Sequence, residues 1–525
     1  MNFLYKKFIE LIKIYYPTKE YKRYLIFNQK KWKKKERIVK PFKKGEILID
    51  LFHHYPFINI WSNLTNQILK RKNYKIRYFY FYFYKGYFNK FKFFSHKLIE
   101  IYKSFNVDKD GLDERDIKFR SNNKNLINLE KIMYNKNKLQ NFKYRGIKIG
   151  DLVYDTYLRT KRKPTINLKD NYLKKLLFRS INIFDYLIVY LKKNNVKIII
   201  VSHPYYIQYG ILTRIAIKLK IPVIMVYSKN RGNDLFRLKL IDNKHPVEDF
   251  KYYNYKRIFS KLNKKKEKIS IGKKIIKNRF SGKFLNQLPY MQKNLYTKSY
   301  LLKKQKKQNT NNVYVFAHDF FDNPHRFRWM IFEDFFEQLK YLEYLASRTP
   351  HLNWFLKPHP NAIDQNYLVF KKFFLNSKYL NLIDKNIDNF EIIKKKPKFI
   401  VTNHGTIAHE FAYHNIPVIN TGDNLHINYN FCLHAKSKKD LRNFILNFEK
   451  YKNKINFDKK NIYEFIYMEY FHSKNKYNEF DLDKHKMWSA HIDNDKCLDF
   501  FINKNSKNKN YLDKYINKFL DDNLS

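Results

Sequence analysis

The sequence predicts an α/β protein made of two doubly wound domains that face each other across a cleft. Two long stretches, from about 45 to 245 and from about 313 to 472, alternate buried-strand patterns with amphipathic-helix patterns. This alternation is typical of parallel sheets covered by helices on both faces. A Lys-rich stretch between them has neither pattern in strong form. Ligands of such sheets bind at the carboxyl ends of the strands, so we expect the functional residues there.

The chain of 525 residues, 44% of them apolar, is long enough for two large domains, each with its own core. No period of 20 to 50 residues recurs, which excludes a repeat protein. We place an N-terminal Rossmann-like domain at residues 1–250 and a Lys-rich connecting segment at 251–311. A C-terminal Rossmann-like domain follows at 312–472, and a polar helical tail at 473–525.

In the first half, short apolar runs predict strands and longer periodic segments predict helices. The strands are 46–51, 75–83, 197–201 and 221–226, and the helices are 60–70, 173–191 and 211–219. In the second half, the strands are 313–317, 352–356, 380–383 and 399–402, and the helices are 327–346, 366–375, 387–395, 438–451, 460–471 and 511–520. The pair Asn323-Pro324 is a suitable start for the helix 327–346, because Pro fits the first helical position.

The segment 397–424 combines a strand, a tight turn, a helix and a second strand. The chain has only eleven glycines, and two of them, Gly405 and Gly422, stand here at strand ends. Glycine between a buried strand and a helix allows close approach of a ligand to the backbone. Free N–H groups at a helix start favour an anion such as a phosphate.

His404-Gly405-Thr406 is the turn of that segment. Thr406 could cap the helix or donate to a phosphate oxygen. Glu410, one turn further, would suit the hydroxyls of a ribose or a sugar. The alternative is a strand–turn–helix unit with ordinary capping and no ligand.

A second motif, Lys357-Pro358-His359-Pro360, ends another predicted strand of the same sheet. Lys357 offers a point charge for phosphate, and His359 offers a neutral or charged donor. The two motifs lie about fifty residues apart in the sequence and belong to one predicted sheet edge. We therefore assign Lys357, His359 and the His404 turn together to an anion site.

Candidates for a general base follow three other strands. His318-Asp319 ends the strand 313–317, Ser202-His203-Pro204 ends the strand 197–201, and His53-His54 follows the first strand. A His beside carboxylates in a cleft can take a proton from a hydroxyl group. The alternative for each is a polar loop residue or a helix cap.

The formal net charge is +59, from 106 Lys and Arg against 47 Asp and Glu. A nucleic-acid footprint would form a local patch or stripe. Here the excess of basic residues consists almost wholly of Lys. Lys is frequent along the whole chain, as are Asn, Ile, Tyr and Phe, and this uniform composition indicates the coding bias of an AT-rich genome. The charge still favours contact with anionic membranes and polyanionic ligands.

The two cysteines, Cys432 and Cys497, form no CxxC pair, which fits a reducing cytosol. No apolar run reaches the roughly 18 residues of a membrane span. The basic amphipathic segment 1–17 could lie on a membrane surface or dock on its own domain. Two DxD-like motifs, 481–483 and 493–495, lie in the tail away from any strand end, so we expect no metal site.

These motifs resemble those of bacterial capsule and surface-polysaccharide biosynthesis glycosyltransferases, which have a GT-B-like fold. The resemblance rests on the run 318–325, on Trp354 to Asn361, on His404-Gly405-Thr406 with His409-Glu410, and on Ile416-Pro417-Val418-Ile419. In the first half, 149–155 and 202–205 agree, so that the resemblance covers about 45 to 450. The His-Gly-Thr turn replaces a Ser-rich turn of some relatives.

The resemblance implies a metal-independent glycosyltransferase without a cofactor, which uses a nucleotide-sugar as co-substrate. It implies donor contacts from His359, Thr406 and Glu410, and an acceptor glycan or lipid-linked sugar on the N-terminal domain. We expect a cytoplasmic protein with possible contact to the anionic inner membrane and no specific nucleic acid. The alternatives are a polyol-phosphate transferase or nucleotide-sugar epimerase on the same fold, or a non-enzymatic basic binder of membrane or nucleic acid.

Overall fold

A computed structural model gives the fold of the chain. The residues it describes are 17–32, 45–52, 54–72, 74–81, 90–108, 110–113, 117, 131–229, 232–241, 245–247, 251–281, 296–297, 311–360, 362–472, 495–507 and 509–524. The amphipathic segment 1–16, His53 and the DxD-like motif 481–483 lie outside them. Within these ranges, no helix combines the length and apolarity needed to cross a bilayer.

The first sheet has six strands in the order β3-β2-β1-β6-β7-β8. All neighbours pair in parallel except the edge strand β8, which is antiparallel to β7. The strands are β1 Glu46–Asp50, β2 Lys75–Tyr80, β3 Leu112–Asp113, β6 Val196–Val201, β7 Val223–Lys229 and β8 Gly232–Arg237. Two short antiparallel pairs stand apart, β4 Lys143–Tyr144 with β5 Ile147–Lys148 and β9 Lys239–Ile241 with β10 His245–Val247.

The second sheet is wholly parallel, in the order β13-β12-β11-β14-β15-β16. Its strands are β11 Asn312–Phe316, β12 Asn353–Lys357, β13 Leu380–Leu382, β14 Phe399–Thr402, β15 Val418–Thr421 and β16 Leu433–Ala435. Val401 and Ile419 illustrate the buried, β-branched character expected of central parallel strands. The two doubly wound domains predicted from the sequence are confirmed.

Counted within its own domain, each sheet has the strand order 3-2-1-4-5-6 of a Rossmann fold. In this order the chain reverses direction across the sheet between strands 1 and 4, and the loops there diverge to leave a crevice. The reversal lies between β1 and β6 in the first sheet and between β11 and β14 in the second. The residues that follow these four strands are therefore the first to consider as a site.

Helices cover both sheets. They are Lys19–Trp32, Tyr55–Arg71, Lys90–Lys103, Lys136–Gln140, Gly150–Lys161, Asn171–Lys193, Tyr206–Lys218, Tyr255–Ser260, Lys265–Phe280, Phe335–Ser347, Asp364–Phe374, Asn389–Lys394, Ile407–Ala412, Lys438–Leu446, Phe448–Lys452, Lys459–Tyr467, Leu498–Lys507 and Lys509–Leu524. Single turns of 3-10 helix occur at Lys251–Asn254, Pro324–Arg326 and Asp495–Cys497, and a π-helical turn at Met468–His472.

The helix predicted at 327–346 is wrong at its start. Pro324 begins only a 3-10 turn, and the α-helix begins at Phe335. Asp334 is its N-cap, because the Asp334 side chain accepts hydrogen bonds from the N–H groups of Phe336 and Glu337. The eight residues between turn and helix are thus irregular backbone.

The connecting segment and the tail pack on different domains. The helix Lys265–Phe280 lies against the helix Lys459–Tyr467 of the C-terminal domain, and Gly272 touches the backbone of Tyr463. The tail helices place Leu498, Phe501 and other apolar residues in a core with the first sheet.

Asp495, the last residue of the second DxD-like motif, fixes the tail to the first domain. Its carboxylate is buried and accepts hydrogen bonds from Lys97 Nζ at 2.7 and 2.9 Å and from Tyr55 OH at 2.6 Å. Thr18 Oγ1 adds a fourth contact at 2.8 Å. With its oxygens used in this way, Asp495 holds the tail in place.

Candidate functional site

Two predicted histidines meet at the strand reversal of the second sheet. His318 follows β11 and His404 follows β14, and their ring centroids are 6.1 Å apart. The ring of His318 stacks on Phe335 with centroids 4.5 Å apart, while His404 stacks on Phe327. Burial, followed by the charges of His318 and Arg326, lowers the pKa of His404 well below its ordinary value. His404 is therefore a neutral ring that shapes the turn.

His203 brings the first domain to the same place. Burial, followed by the positive charges of Arg326 and Arg159, lowers the pKa of His203 to about 4, and Asp322 acts in the opposite direction. The guanidinium of Arg326 also lies 5.8 Å from the ring centroid of Tyr205. The carboxyl edges of the two sheets are thus in contact here, with His203 on one side and residues 322–326 on the other.

Asp50 lies directly beneath His203, at the strand reversal of the first sheet. Its buried carboxylate accepts hydrogen bonds from the hydroxyl and, at 3.2 Å, from the backbone N–H of Ser202. Burial raises the pKa of Asp50 to about 7, although both bonds from Ser202 act against this. The Asp50–Ser202 contact therefore fixes the turn that presents His203.

His359 and Asp319 complete the cluster from the second sheet. His359 is solvent-exposed and lies within electrostatic reach of His318, Asp319 and Asp322. One oxygen of Asp319 accepts the N–H of Phe321 at 2.7 Å, which fixes its own loop. The structure thus groups the three proposed catalytic residues with His359 and His404.

The turn at Gly405 is tight, as its sequence suggests. A β-carbon at Gly405 would stand 3.1 Å from Oγ1 of Thr402. Gly422, at the end of β15, has φ +101°, which a residue with a side chain rarely adopts. Thr406 makes no side-chain cap hydrogen bond, and the helix after it, Ile407–Ala412, has only six residues. Of the two roles that the sequence allows for Thr406, helix capping is therefore not observed, and donation to a phosphate oxygen stays a prediction.

Lys357 differs from its expected position as an open phosphate ligand. It is 1% exposed, and its Nζ donates to the carbonyl of Ile387 and to Oδ1 of Asn389, both at 2.6 Å. Burial lowers its pKa to about 8, against the raising effect of Asp388 and other carboxylates. Lys357 therefore ties the end of β12 to the loop between β13 and the helix Asn389–Lys394.

Glu410 is likewise occupied by the protein. Arg279 Nε donates to one carboxylate oxygen at 2.8 Å and Tyr296 OH to the other at 2.6 Å. Burial would raise the pKa of Glu410, but Arg279 and further neighbours outweigh it and lower the pKa. The helix Lys265–Phe280, in the connecting segment, thus provides the counter-ion of a residue that the sequence assigns to donor binding.

The sequence reasoning missed the contact that joins the two domains beside this cluster. Asp155 Oδ1 lies 2.5 Å from Nδ1 of His325, and both side chains are buried. Tyr154 OH donates to Asp334 Oδ2 at 2.5 Å, and Thr165 Oγ1 donates to the same oxygen at 2.6 Å. Both Asp155 and His325 lie in the motifs that carry the family resemblance, but neither was assigned a role.

A buried amide network, also missed, supports the end of β14. Gln338 Nε2 donates to Asn403 Oδ1 at 2.8 Å and to Thr421 Oγ1 at 2.9 Å. Asn403 Nδ2 returns a bond to Gln338 Oε1 at 2.7 Å. Beside it lies a cavity of about 20 Å³, which has room for a water molecule. The network holds the strand that carries His404 and Gly405.

The cluster contains groups suited to proton transfer and to anion binding. His203 is held neutral and so can accept a proton, and Arg326 and Arg159 provide positive charge next to it. Among the described residues, no group of three His, Cys, Asp or Glu side chains is arranged to hold a metal ion.

No protein-family model and no curated protein matches the sequence. Solved structures are similar at low scores. A UDP-GlcNAc 2-epimerase of Neisseria meningitidis bound to UDP-GlcNAc shares 11% identity over 81% of this chain and 97% of its own, with a TM-score of 0.25. KpsC of Thermosulfurimonas dismutans, a beta Kdo 2,4 transferase, shares 10% identity over 52% and 79%, with a TM-score of 0.31. A glycosyltransferase of Rickettsia africae shares 11% identity over 91% and 100%, with a TM-score of 0.24. At these scores, conclusions about activity must rest on the residues of this chain.

Proposed function

We propose that the protein is a glycosyltransferase that moves a sugar from a nucleotide-activated donor to a growing glycan or lipid-linked acceptor of a surface polysaccharide. One observation carries this proposal. Arg326 acts electrostatically on His203 of the first sheet and on His404 of the second, and Asp322 acts on both His203 and His359, at the facing carboxyl edges of two Rossmann-like domains. A cleft of this kind offers a donor side and an acceptor side with a base and positive charge between them.

In this proposal the C-terminal domain holds the donor. The phosphate lies near the Gly405 turn, with Arg326 and His359 directed toward it and Arg159 adding positive charge. Lys357 and Glu410 act indirectly, because each is bound to protein groups. This revises the donor set predicted from the sequence, in which both touched the nucleotide.

The reaction needs one proton acceptor. The acceptor hydroxyl attacks the anomeric carbon of the donor sugar, and the bond from that carbon to the phosphate oxygen breaks with its electron pair on the phosphate. His203 takes the hydroxyl proton, while the arginines stabilise the charge that grows on the phosphate. His318 and Asp319 are the alternative bases on the opposite side of the cleft. Protein at the cytoplasmic face of the membrane would meet both substrates.

Thermal shift with CMP-, UDP-, GDP-, dTDP- and CDP-linked sugars tests the donor side. A bound donor stabilises the folded state, so one nucleotide class should raise Tm. Arg326→Ala and His359→Ala should abolish most of that rise. His351→Ala is the matched control, because His351 is exposed at the opposite edge of the same sheet, before β12.

Three outcomes would contradict the proposal. The first is that no nucleotide-sugar changes Tm. The second is that the His351→Ala control loses the Tm response as much as the two variants do. The third is that product analysis finds an epimerised sugar when no acceptor is present. The last result would instead support a nucleotide-sugar epimerase. A polyol-phosphate transferase would release a nucleoside monophosphate and pass on a phosphate with its polyol.

A further inference from the structure

The outer side of the C-terminal domain has an unusual surface at the helix Asp364–Phe374. Phe370 on the inner side of this helix is buried in the domain core. The outer side carries Leu368, which is 55% exposed, and the helix ends at Leu375, which is 82% exposed. A surface helix normally presents polar residues to water. Leu368 and Leu375 lie about two helical turns apart, on the same face, and their joint exposure needs an explanation.

The neighbouring helix Phe335–Ser347 extends this surface. Its Glu343 accepts hydrogen bonds from Ser377 Oγ at 2.8 Å and from the N–H of Lys378 at 2.9 Å, which holds the turn after Leu375 against that helix. The next residue on the helix is Tyr344, which is 44% exposed. Tyr379 in the turn is 46% exposed. Two tyrosines and two leucines therefore share one side of the domain.

Lysines accompany these apolar side chains. Lys371 and Lys372 stand between the two leucines on the outer side of the helix, and Lys378 precedes Tyr379; all three are exposed. Four of the ten large apolar side chains that are exposed among the described residues belong to this area, so the exposure is concentrated rather than scattered. We call it the apolar–lysine face: Tyr344, Leu368, Leu375 and Tyr379 with Lys371, Lys372 and Lys378.

We propose that the apolar–lysine face docks the protein on an anionic lipid bilayer. Leu368 and Leu375 would enter the boundary between headgroups and acyl chains, and the two tyrosines would lie at headgroup level. The lysines would reach lipid phosphates while their aliphatic stems cover the leucines. The combination matches what binds a peripheral protein to a membrane, namely apolar area together with positive charge.

Charge favours a bilayer over a protein as the occupant. With a net charge of +59, a second copy of this chain would be repelled, and three of the lysines that contribute to this charge lie on the face itself. An anionic membrane surface attracts each such lysine with about 1 kcal/mol, and it accepts apolar side chains of any geometry. The inference is independent of the proposed enzymatic function.

Co-sedimentation with vesicles tests the proposal. The purified full chain should bind vesicles of phosphatidylethanolamine with phosphatidylglycerol and bind phosphatidylcholine vesicles much more weakly. The double variant Lys371→Glu/Lys372→Glu should weaken the binding by about tenfold or more, because two attractions become repulsions. Leu375→Glu should weaken it by a similar factor, since it removes apolar insertion and adds a negative charge.

The matched control is Lys273→Glu/Lys274→Glu, which changes two adjacent exposed lysines of another helix by the same charge. It should bind anionic vesicles within about twofold of the unchanged protein, and unaltered melting curves should show that every variant is folded. Equal loss in the control would overturn the proposal in favour of diffuse electrostatic attraction. Full binding by Leu375→Glu, or self-association of the unchanged protein that Leu375→Glu abolishes, would also overturn it.

Discussion

Asp155 Oδ1 and His325 Nδ1 are 2.5 Å apart in a buried ion pair that joins the two domains. Burial alone would lower the pKa of His325, but the Asp155 carboxylate outweighs it and raises the pKa. The folded state therefore favours the protonated imidazole more than the unfolded chain does. Removal of one partner would leave the other charge buried without compensation.

We expect Asp155→Asn to reduce the free energy of unfolding by about 3–5 kcal/mol at pH 6, measured by urea denaturation. His325→Gln should cost a similar amount, and the double variant less than the sum, because the pair is lost only once. The stabilisation linked to His325 is complete below pH 6.5, the ordinary pKa of His, and is lost as the pH rises through the raised pKa of His325 in the folded state. Burial also raises the pKa of Asp155, which acts against the pair. Strictly additive costs would show that the two side chains do not act as a pair.

Gly272 is the point where the connecting segment meets the C-terminal domain. A β-carbon there would lie 2.0 Å from the carbonyl oxygen of Tyr463, which is backbone and cannot rotate away. Gly272→Ala should therefore separate the two helices and lower the free energy of unfolding by about 1–3 kcal/mol, although Ala is the better helix former.

Ser270→Ala, on the exposed side of the same helix, is the control. It should leave stability unchanged or raise it by a few tenths of a kcal/mol. If Gly272→Ala were equally harmless, the helix Lys265–Phe280 would not pack on the backbone of Tyr463 as closely as described above. Thermal melts of the full chain are sufficient for both variants.

Acid should destabilise the protein because histidines are buried in neutral form. His409 and His426 are 2% and 0% exposed, and His409 Nδ1 lies 2.9 Å from His426 Nε2. Burial lowers the pKa of His409 to about 4 and lowers that of His426 well below its ordinary value. Between pH 6.5 and 4 the unfolded chain binds protons that the folded chain does not, so stability falls as the pH falls.

For His409 alone the loss from pH 7 to pH 4 is on the order of 3 kcal/mol, from 1.36 kcal/mol per pKa unit. Urea midpoints across this range should fall with the pH, and His409→Gln should flatten the slope. The exposed His351→Gln should not. A slope that is unchanged in His409→Gln would mean that this histidine is protonated in the folded state.

Ser202 connects the buried Asp50 to the turn of His203. Ser202→Ala removes the hydroxyl bond and leaves the Asp50 carboxylate only the Ser202 N–H. We expect a loss of about 1–3 kcal/mol in the free energy of unfolding and an increase in the pKa of Asp50, because a bond that favours its charged form is gone. Ser202→Thr, which keeps the hydroxyl, should restore most of the stability. Equal losses in both variants would point to packing instead.

Much of the fold was predictable because parallel strands and their helices have strong local patterns. The four strands of the second sheet that the sequence analysis bounds, β11 to β14, lie within one residue of their predicted positions, because runs such as Phe399–Thr402 are mostly apolar. The helix 327–346 failed because its apolar periodicity extends into residues before Asp334. The signal that would have found the start is Asp334 three residues before Glu337, a capping pattern.

The site was harder, because contacts distant in the sequence decide what each side chain can do. Lys357 is a residue type that binds phosphate, but its ammonium group is hydrogen-bonded to Asn389. Glu410 is a residue type that binds ribose hydroxyls, but its carboxylate is paired with Arg279. Nothing in the local sequence marks these partners, which lie 32 and 131 positions away. The placement of His203 and His318 at the carboxyl edges of the two sheets was predictable because each follows a strand.

The pH dependence of turnover can identify the base. If His203 accepts the acceptor proton, it must be neutral, and its pKa of about 4 keeps it neutral down to that pH. The acid limb of kcat/KM should then lie near pH 4, and no limb should occur at the ordinary value of about 6.5. His203→Gln should reduce kcat by about 10²–10⁴-fold.

Arg326→Gln removes one of the charges that lower the pKa of His203, so the acid limb of kcat/KM should move to higher pH, whatever the effect on KM. Two results together would contradict this assignment: an acid limb that does not move in Arg326→Gln, and an unchanged kcat in His203→Gln. The general base would then be His318 or Asp319 on the other side of the cleft.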